Sequence, residues 1–208
     1  MAYSEFTLSI LREAFDIREK DVVLFNKKAL APMKPSIALL DDLTSAAYMA
    51  LGTEKARAAH LMVPVFKEFI KNQKYRCQYY MGYHFDIDKT RGLSGYCDFL
   101  FSPERTYDIQ SVVLCIVEAK GRNLGESIAE AGAEMFAAQV FNAQRNNPTP
   151  IVYGCVTDGV AWQFLKLENN ILFKDIETYY ADEMTVGHLL RVLENIMNPF
   201  CDKIAAIK

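Results

Sequence analysis

The chain has 208 residues, of which 51% are hydrophobic and 24% are charged, and its formal net charge is −3. This length suits one domain of moderate size, with or without a helical extension. The slight acidity argues against a general affinity for nucleic acid or anionic membrane. Any contact with phosphate must therefore come from a local patch of basic side chains.

The five cysteines are odd in number, lie far apart and form no Cys-x-x-Cys pair; they are Cys77, Cys97, Cys115, Cys155 and Cys201. Most lie in apolar segments, where cysteine behaves as a small hydrophobic residue. The N-terminus lacks a basic start followed by an apolar block, and no apolar run reaches membrane-spanning length. We therefore expect a soluble cytoplasmic protein with reduced thiols, no structural zinc and no membrane partner.

The first 72 residues predict three helices, over 4–15, 36–51 and 54–72. Thr53 is a natural N-cap for the third helix. Pro64 lies inside that helix and should kink or break it. Residues 16–35 are mixed in character and give no assignment.

Three β segments follow, over 75–88, 93–102 and 112–120. The short links between them favour an antiparallel meander. The third segment is an unbroken apolar run rich in β-branched residues up to Val117, which is typical of a central strand buried on both faces.

The second half of the chain predicts an Ala-rich helix over 125–144, strands over 151–156, 160–165 and 171–173, and a closing helix over 185–207 that Pro199 could interrupt. Asp158-Gly159 is a strong hairpin signal between the first two of these strands. The order predicts an α/β fold with a mixed sheet flanked by helices. We divide the single globular domain into a helical extension (1–52), a core (53–178) and a C-terminal helix (179–208).

Asp98 and Glu118 lie on adjacent strands of the predicted meander. Lys120 follows Glu118 by two residues, so both side chains point to the same side of the strand. Two carboxylates about 4 Å apart repel by about 4 kcal/mol at an effective dielectric constant near 20. Protonation, a neighbouring cation or a divalent metal relieves this repulsion, and carboxylate oxygens are ligands that Mg²⁺ prefers. A metal, a water and a lysine together outline a site that hydrolyses phosphodiesters.

This arrangement of Asp98 and Glu118-Ala119-Lys120 resembles the PD-(D/E)xK signature of the restriction-endonuclease-like nuclease superfamily. Val156-Thr157-Asp158-Gly159 is similar to a segment in the nuclease domain of type I restriction motor subunits and their stand-alone relatives. The likeness covers residues 53–166 and implies an αβββαβ core with extra N- and C-terminal helices. It departs from the family pattern at Gly95-Tyr96-Cys97, where the family name has a proline.

By this resemblance, Asp98 and Glu118 ligate Mg²⁺ or Mn²⁺, and Lys120 positions the attacking water. The resemblance also implies a further acid from the helix before the meander, for which Glu54 is the first candidate and Glu68 the second. The alternative for either residue is that it is a helix-dipole partner or a surface residue. Gln139 either faces the metal site or has a buried hydrogen-bonding role. We expect Glu126, Glu130 and Glu134 to form a solvated face of the same helix.

Phosphate contacts are predicted for Lys89, Arg91 and Arg122, which flank the site in turns; the alternative is that they are simply solvated. The three histidines are not spaced as metal ligands usually are, so we assign no metal to them. The leading hypothesis is thus a metal-dependent nuclease acting on nucleic acid, with DNA favoured, and with a second copy or a restriction or repair protein as candidate partner. The alternatives are a catalytically silent binding or regulatory subunit, or a nuclease active only with a partner ATPase.

Overall fold

The computed structural model describes residues 2–118, 124–147 and 149–207, without the side chains of residues 118 and 204–207. The α-helices are α1 (Leu8–Phe15), α2 (Ile37–Ala46), α3 (Glu54–Arg57), α4 (Val63–Asn72), α5 (Ile128–Gln144) and α6 (Val186–Ile207). The strands are β1 (Arg18–Val22), β2 (Gln78–His84), β3 (Tyr96–Ser102), β4 (Leu114–Glu118), β5 (Ile151–Thr157), β6 (Ala161–Glu168), β7 (Ile171–Asp175) and β8 (Tyr179–Tyr180).

These strands form one mixed sheet in the order β1-β7-β6-β5-β4-β3-β2, with β8 paired to β6. Strands β2, β3 and β4 make the predicted antiparallel meander. After α5 the chain returns in β5, which runs parallel to β4, and β6 and β7 follow as antiparallel hairpins. The predicted α/β class, with a mixed sheet flanked by helices, is confirmed.

Two hydrophobic clusters cover the two faces of the sheet, one containing residues of α2, α4 and α6 and the other residues of α1 and α5. Strand β4 contributes to both: Leu114 and Ile116 belong to the first cluster, whereas Cys115 and Val117 belong to the second. This alternation explains why the segment is apolar without a break. All five cysteines are free and buried, as small hydrophobic residues would be.

Helix α5 lies unusually close to the sheet because β5 carries a glycine beneath it. A Cβ atom on Gly154 would collide with the sulfur of Met135, and one on Gly132 would lie 2.8 Å from a methyl group of Leu11. Gly154 therefore lets α5 approach β5, and Gly132 lets α1 approach α5. The side chains of α5 that face the sheet are consequently held against β3 and β4.

The predicted helix 54–72 is split by a π-helical turn over Ala58–Met62. The N–H of Val63 donates to the carbonyl of Ala58, five residues back. Pro64, near the start of α4, has no N–H and its ring clashes with a carbonyl four residues earlier in a regular α-helix. The wider turn accommodates it, so the predicted break at this proline takes the form of a π turn.

The N-terminal segment contains more than helices. Arg18–Val22, which the sequence left unassigned, forms β1 at the sheet edge, parallel to β7. Helix α2 ends at Ala46, five residues earlier than predicted. Helix α6 continues through Pro199 without a break. No helix among the described residues combines the length and apolar character needed to span a bilayer.

Candidate functional site

Asp98 and Glu118 lie where two neighbouring strands part. The paired ladder between β3 and β4 ends at Phe99 and Ile116. Asp98 is the next residue beyond that ladder on β3, and Glu118 lies two residues beyond it on β4. Neighbouring strands are about 4.8 Å apart, so both backbone positions belong to one corner of the sheet. The Glu118 side chain is outside the described residues.

The regular alternation of β3 is interrupted at Asp98. Phe99 and Phe101 belong to the cluster that contains α4, whereas Cys97 and Leu100 both belong to the cluster that contains α5. Strict alternation would place Cys97 on the same face as Phe99. Opposite this point β2 carries Gly82 with φ of +59°, a conformation that favours glycine. The bend leaves Asp98 exposed within an otherwise buried segment.

The same corner receives the end of β5. Glu118 is paired with Thr157, whose buried hydroxyl accepts the N–H of Gly159 at 2.9 Å. Gly159 has φ of +94°, and a Cβ there would lie 2.8 Å from a methyl group of Leu61. The predicted hairpin at Asp158-Gly159 is therefore present, and the π turn that contains Leu61 packs against it.

Glu54 opens α3, upstream of that π turn. Its N-cap, Thr53, accepts the N–H of Ala56 at 3.2 Å, as predicted. The Glu54 side chain is exposed in the first turn. Leu61 lies seven residues further along, roughly 10 Å at about 1.5 Å per helical residue. Glu54 therefore lies on the element that packs at this corner, in a position that also suits the helix dipole.

Glu134 is the residue that the sequence analysis placed wrongly. It was expected on a solvated face, but it is 1% exposed and points from α5 toward β3. Burial raises the pKa of its carboxyl group well above the ordinary value, and the nearby charges of Asp98 and Glu130 raise it further. The Cys97 thiol hydrogen bonds to it and acts in the opposite direction.

One oxygen of Glu134, Oε2, has no hydrogen-bond partner among the described residues. A buried acceptor without a partner is unfavourable by roughly 1–3 kcal/mol. A pattern in the sequence could have identified this residue: Ala131 and Ala138, three before and four after it, are both fully buried on the same side of α5.

The chemistry of this corner suits a hard divalent cation. Asp98 and Glu130 are each close enough for their charges to act on Glu134, and one buried carboxylate oxygen of Glu134 is unpartnered. Among the described side chains there is no group of three or more His, Cys, Asp or Glu residues that could hold a metal. The side chain of Glu118 lies outside the residues to which this statement applies.

The predicted water-positioning residue, Lys120, and the predicted phosphate contact Arg122 both lie outside the described residues. Lys89 occupies a short 3₁₀ turn between β2 and β3, where its ammonium is 2.7 Å from Oδ2 of Asp86. This hydrogen bond is the main reason why the pKa of Asp86 is lowered. The Arg91 guanidinium lies 4.7 Å from the centre of the Phe15 ring. Both cations thus have partners within the protein.

Gln139 lies at the other end of the sheet. Its amide donates to the carbonyls of Pro150 at 2.8 Å and Leu167 at 3.3 Å. Pro150 precedes β5, whereas Thr157 ends it, which separates the two ends by roughly 23 Å at about 3.3 Å per residue. The structure thus gives Gln139 the hydrogen-bonding role that the sequence analysis held as its alternative.

Glu68 has a structural role on α4. It is 8% exposed, and its two oxygens accept the N–H of Ser36 at 2.9 Å and the Ser36 hydroxyl at 2.8 Å. The same hydroxyl accepts the N–H of Leu39 at the start of α2. Glu68 therefore joins α4 to the cap of α2 and lies apart from the corner at Asp98.

A scan of the sequence against protein-family models and a search of the curated proteins both give no match. Functional inference therefore depends on the corner itself. Acidic residues of three elements meet there: Asp98 of β3, Glu134 with Glu130 of α5, and, by backbone position alone, Glu118 of β4.

Proposed function

We propose that the protein is a metal-dependent nuclease that hydrolyses nucleic-acid phosphodiester bonds, with DNA as the favoured substrate. The observation that carries this proposal is the corner at which β3 and β4 part, with Asp98 and Glu118 just beyond their shared ladder. The order of a helix, an antiparallel three-strand meander, a helix and a parallel strand supports it, because the resemblance noted in the sequence implies the same order.

In this proposal Asp98 and Glu118 hold Mg²⁺ or Mn²⁺, and Lys120 orients the attacking water. When bound, the ion supplies Lewis acidity toward the scissile phosphate. The bend at Asp98 keeps one carboxylate exposed to substrate, while the rest of β3 anchors it in the core. The buried carboxyl group of Glu134 lies close enough to Asp98 to feel its charge, and a cation held at this corner would favour the ionised form of Glu134 and so oppose the rise in its pKa.

The proposal is tested by Mg²⁺-dependent cleavage of labelled DNA by the wild-type protein and by Asp98→Asn and Glu118→Gln. Each change keeps the shape of the side chain and removes its charge. We expect the cleavage rate to fall at least about 100-fold in both variants. Changes to residues that only support the metal ligands already reduce activity by up to about 100-fold, and Asp98 and Glu118 are proposed to be ligands themselves. Asp41→Asn, an exposed acid on α2, is the matched control and should cut at the wild-type rate.

Isothermal titration with Mn²⁺ separates the proposal from its alternatives. If the wild-type protein binds Mn²⁺ and cleaves DNA, and Asp98→Asn loses the Mn²⁺ binding, the result supports a self-sufficient nuclease. The same binding without cleavage of any substrate favours a nuclease that needs a partner ATPase. Absence of Mn²⁺ binding in the wild-type protein, or full cleavage by Asp98→Asn, would overturn the assignment.

A further inference from the structure

A groove runs between the end of α4 and the start of β2, the edge strand next to β3. Its volume is about 330 Å³, and it is lined by Lys67, Ile70, Lys71, Tyr75, Gln78 and Tyr79. A space of this size is comparable to a small-molecule site. We refer to these six residues together as the α4–β2 groove.

The rim of the groove is basic. Lys67 and Lys71 are exposed and, four residues apart on α4, lie on the same face of the helix. Lys74 follows directly after the helix and is also exposed. The Arg105 guanidinium lies 5.9 Å from the centre of the Tyr75 ring. These four side chains make no ion pair with any described residue.

Acidic groups around the groove have other partners, beginning with Glu68 on α4, which is paired with Ser36. Glu104, beside Arg105, accepts a hydrogen bond from the hydroxyl of Ser111 at 3.3 Å. Asp202 on α6 forms an ion pair with Arg76. The positive charge at the rim of the groove is therefore not neutralised locally, although the chain as a whole is slightly acidic.

The wall and floor of the groove are aromatic. Tyr75 is 53% exposed, and its backbone, like that of Lys74, is in the left-handed region, with φ of +59°. Non-glycine residues rarely adopt this conformation, and here it directs the chain away from the end of α4. Tyr79 forms the floor, where its ring packs 5.3 Å from the ring of Phe66. The Tyr75 ring therefore has Arg105 near it but remains half exposed to a ligand, and the Tyr79 ring is supported by Phe66.

We propose that the α4–β2 groove binds single-stranded nucleic acid, with an unpaired base against Tyr75 and Tyr79 and phosphates against Lys67, Lys71 and Arg105. Aromatic rings between cations are the usual means of holding a single strand without sequence preference. A duplex hides the faces of its bases, so it could use the cations but not the rings. An acidic peptide would likewise leave the exposed Tyr75 ring without a matching group.

The groove leads toward the corner at Asp98, and its role as a substrate track rests on the proposed nuclease function. Tyr79 and Tyr83 are separated by four residues of β2, roughly 13 Å. Tyr83 pairs with Cys97, the neighbour of Asp98. Met81 on β2 and Tyr96 at the start of β3 are 53% and 71% exposed. Tyr79 packs on the α4 face of the sheet and Tyr83 on the α5 face, so a strand bound in the groove reaches the carboxylates by passing over the β2 edge of the sheet.

The test measures fluorescence anisotropy of a labelled 15-nucleotide oligo(dT) in EDTA, so that no cleavage is possible. We expect Tyr75→Ala to weaken binding about fivefold or more, the lower limit for loss of one stacked base. We expect Lys67→Ala/Lys71→Ala to reduce the slope of log affinity against log salt by roughly 1.4, at about 0.7 for each phosphate contact on a single strand.

The matched controls are exposed residues away from the groove: Tyr48→Ala in the turn after α2, and Lys20→Ala/Lys28→Ala near the opposite edge of the sheet. They should bind as the wild-type protein does. Groove variants that match these controls overturn the inference. So does equal affinity for a duplex of the same length, or equally effective competition by polyglutamate of the same charge.

The outcomes also separate this inference from the proposed function. A protein that binds oligo(dT) through the groove but neither binds Mn²⁺ nor cuts any substrate supports the binding site and refutes the nuclease. A protein that cuts DNA while its groove variants bind normally supports the nuclease and refutes the binding site.

Discussion

Two buried glutamates, one on each face of the sheet, differ in how their oxygens are paired. Both oxygens of Glu68 on α4 accept hydrogen bonds from Ser36. Glu134 on α5 has an unpartnered Oε2 and lies near a second acid, Asp98. Burying a carboxylate is unfavourable unless it is paired. Glu68 therefore stabilises the fold, whereas the ionised form of Glu134 opposes it.

Glu68 thus connects two helices through its hydrogen bonds, whereas the burial of Glu134 is only partly compensated. Strongly perturbed acids beside another charge concentrate at functional sites. Local features that oppose stability are also expected there, because the rest of the protein compensates for them. On this reasoning the α5 face carries the proposed chemistry, and the α4 face beneath α2 carries the structural support.

The largest expected effect is on the pH dependence of stability at Glu134. A carboxyl group with a raised pKa in the folded state binds its proton more tightly there than in the unfolded chain. Its favourable contribution is complete below the unfolded pKa and is lost as the pH rises through the folded pKa. Wild-type stability relative to Glu134→Gln should thus fall by about 1.4 kcal/mol for each pH unit across that window.

Urea denaturation in EDTA at several pH values, starting near pH 4.5, measures this difference. Glu126→Gln, an exposed glutamate ahead of α5, is the control and should track the wild-type protein at every pH. A constant difference between Glu134→Gln and wild type across the range would mean that Glu134 titrates normally and is not the uncompensated acid described above.

Glu68→Ala should produce the next largest effect. It removes the acceptor of two hydrogen bonds and leaves the N–H and hydroxyl of Ser36 to find other partners. Hydrogen bonds to a charged group contribute about 1.5–3 kcal/mol. We expect the free energy of unfolding at pH 7 to fall by about 2–3 kcal/mol, measured by urea denaturation. A double variant with Ser36→Ala should lose less than the sum of the two single changes.

Much of the core could be predicted from the sequence because its elements have clear local signals. The apolar run ending at Val117 predicted a central strand, and its two-sided burial follows from that pattern. Asp158-Gly159 predicted the hairpin between β5 and β6. The meander followed from short links, so the backbone positions of Asp98 and Glu118 at one corner were also predictable.

The features that the sequence did not predict depend on tertiary packing. Arg18–Val22 has no alternating apolar pattern and becomes a strand only because β7 offers it a partner. Glu134 is polar, and its burial follows from the close approach of α5 to the glycine in β5. Gln139 lies on the inner side of α5, but a periodic pattern does not say which end of the sheet a helix position faces.

A smaller effect is expected for the interaction between Asp98 and Glu134. Because the charge of Asp98 raises the pKa of Glu134, Asp98→Asn should reduce the stability gained by Glu134→Gln. Neighbouring residues of this kind couple by about 0.5–3 kcal/mol, and we expect a value near 1 kcal/mol at pH 8 in EDTA. A double-mutant cycle by urea denaturation gives the value; strict additivity would place the two acids too far apart to share a site.

The smallest effect is expected at Arg91, whose guanidinium stacks on Phe15 at 4.7 Å and on Phe136 at 5.4 Å. Arg91→Ala should lower the free energy of unfolding by about 0.5–1 kcal/mol. Arg91→Lys keeps the charge but loses the planar stacking group, so it should lose nearly as much stability.

The same two variants are expected to differ in DNA binding. If Arg91 contacts phosphate, Arg91→Lys should keep the wild-type slope of log affinity against log salt, whereas Arg91→Ala should show a smaller slope. Equal slopes for all three proteins would leave this arginine as a purely structural link between α5 and the β2–β3 turn, since a phosphate contact must change the number of counterions released.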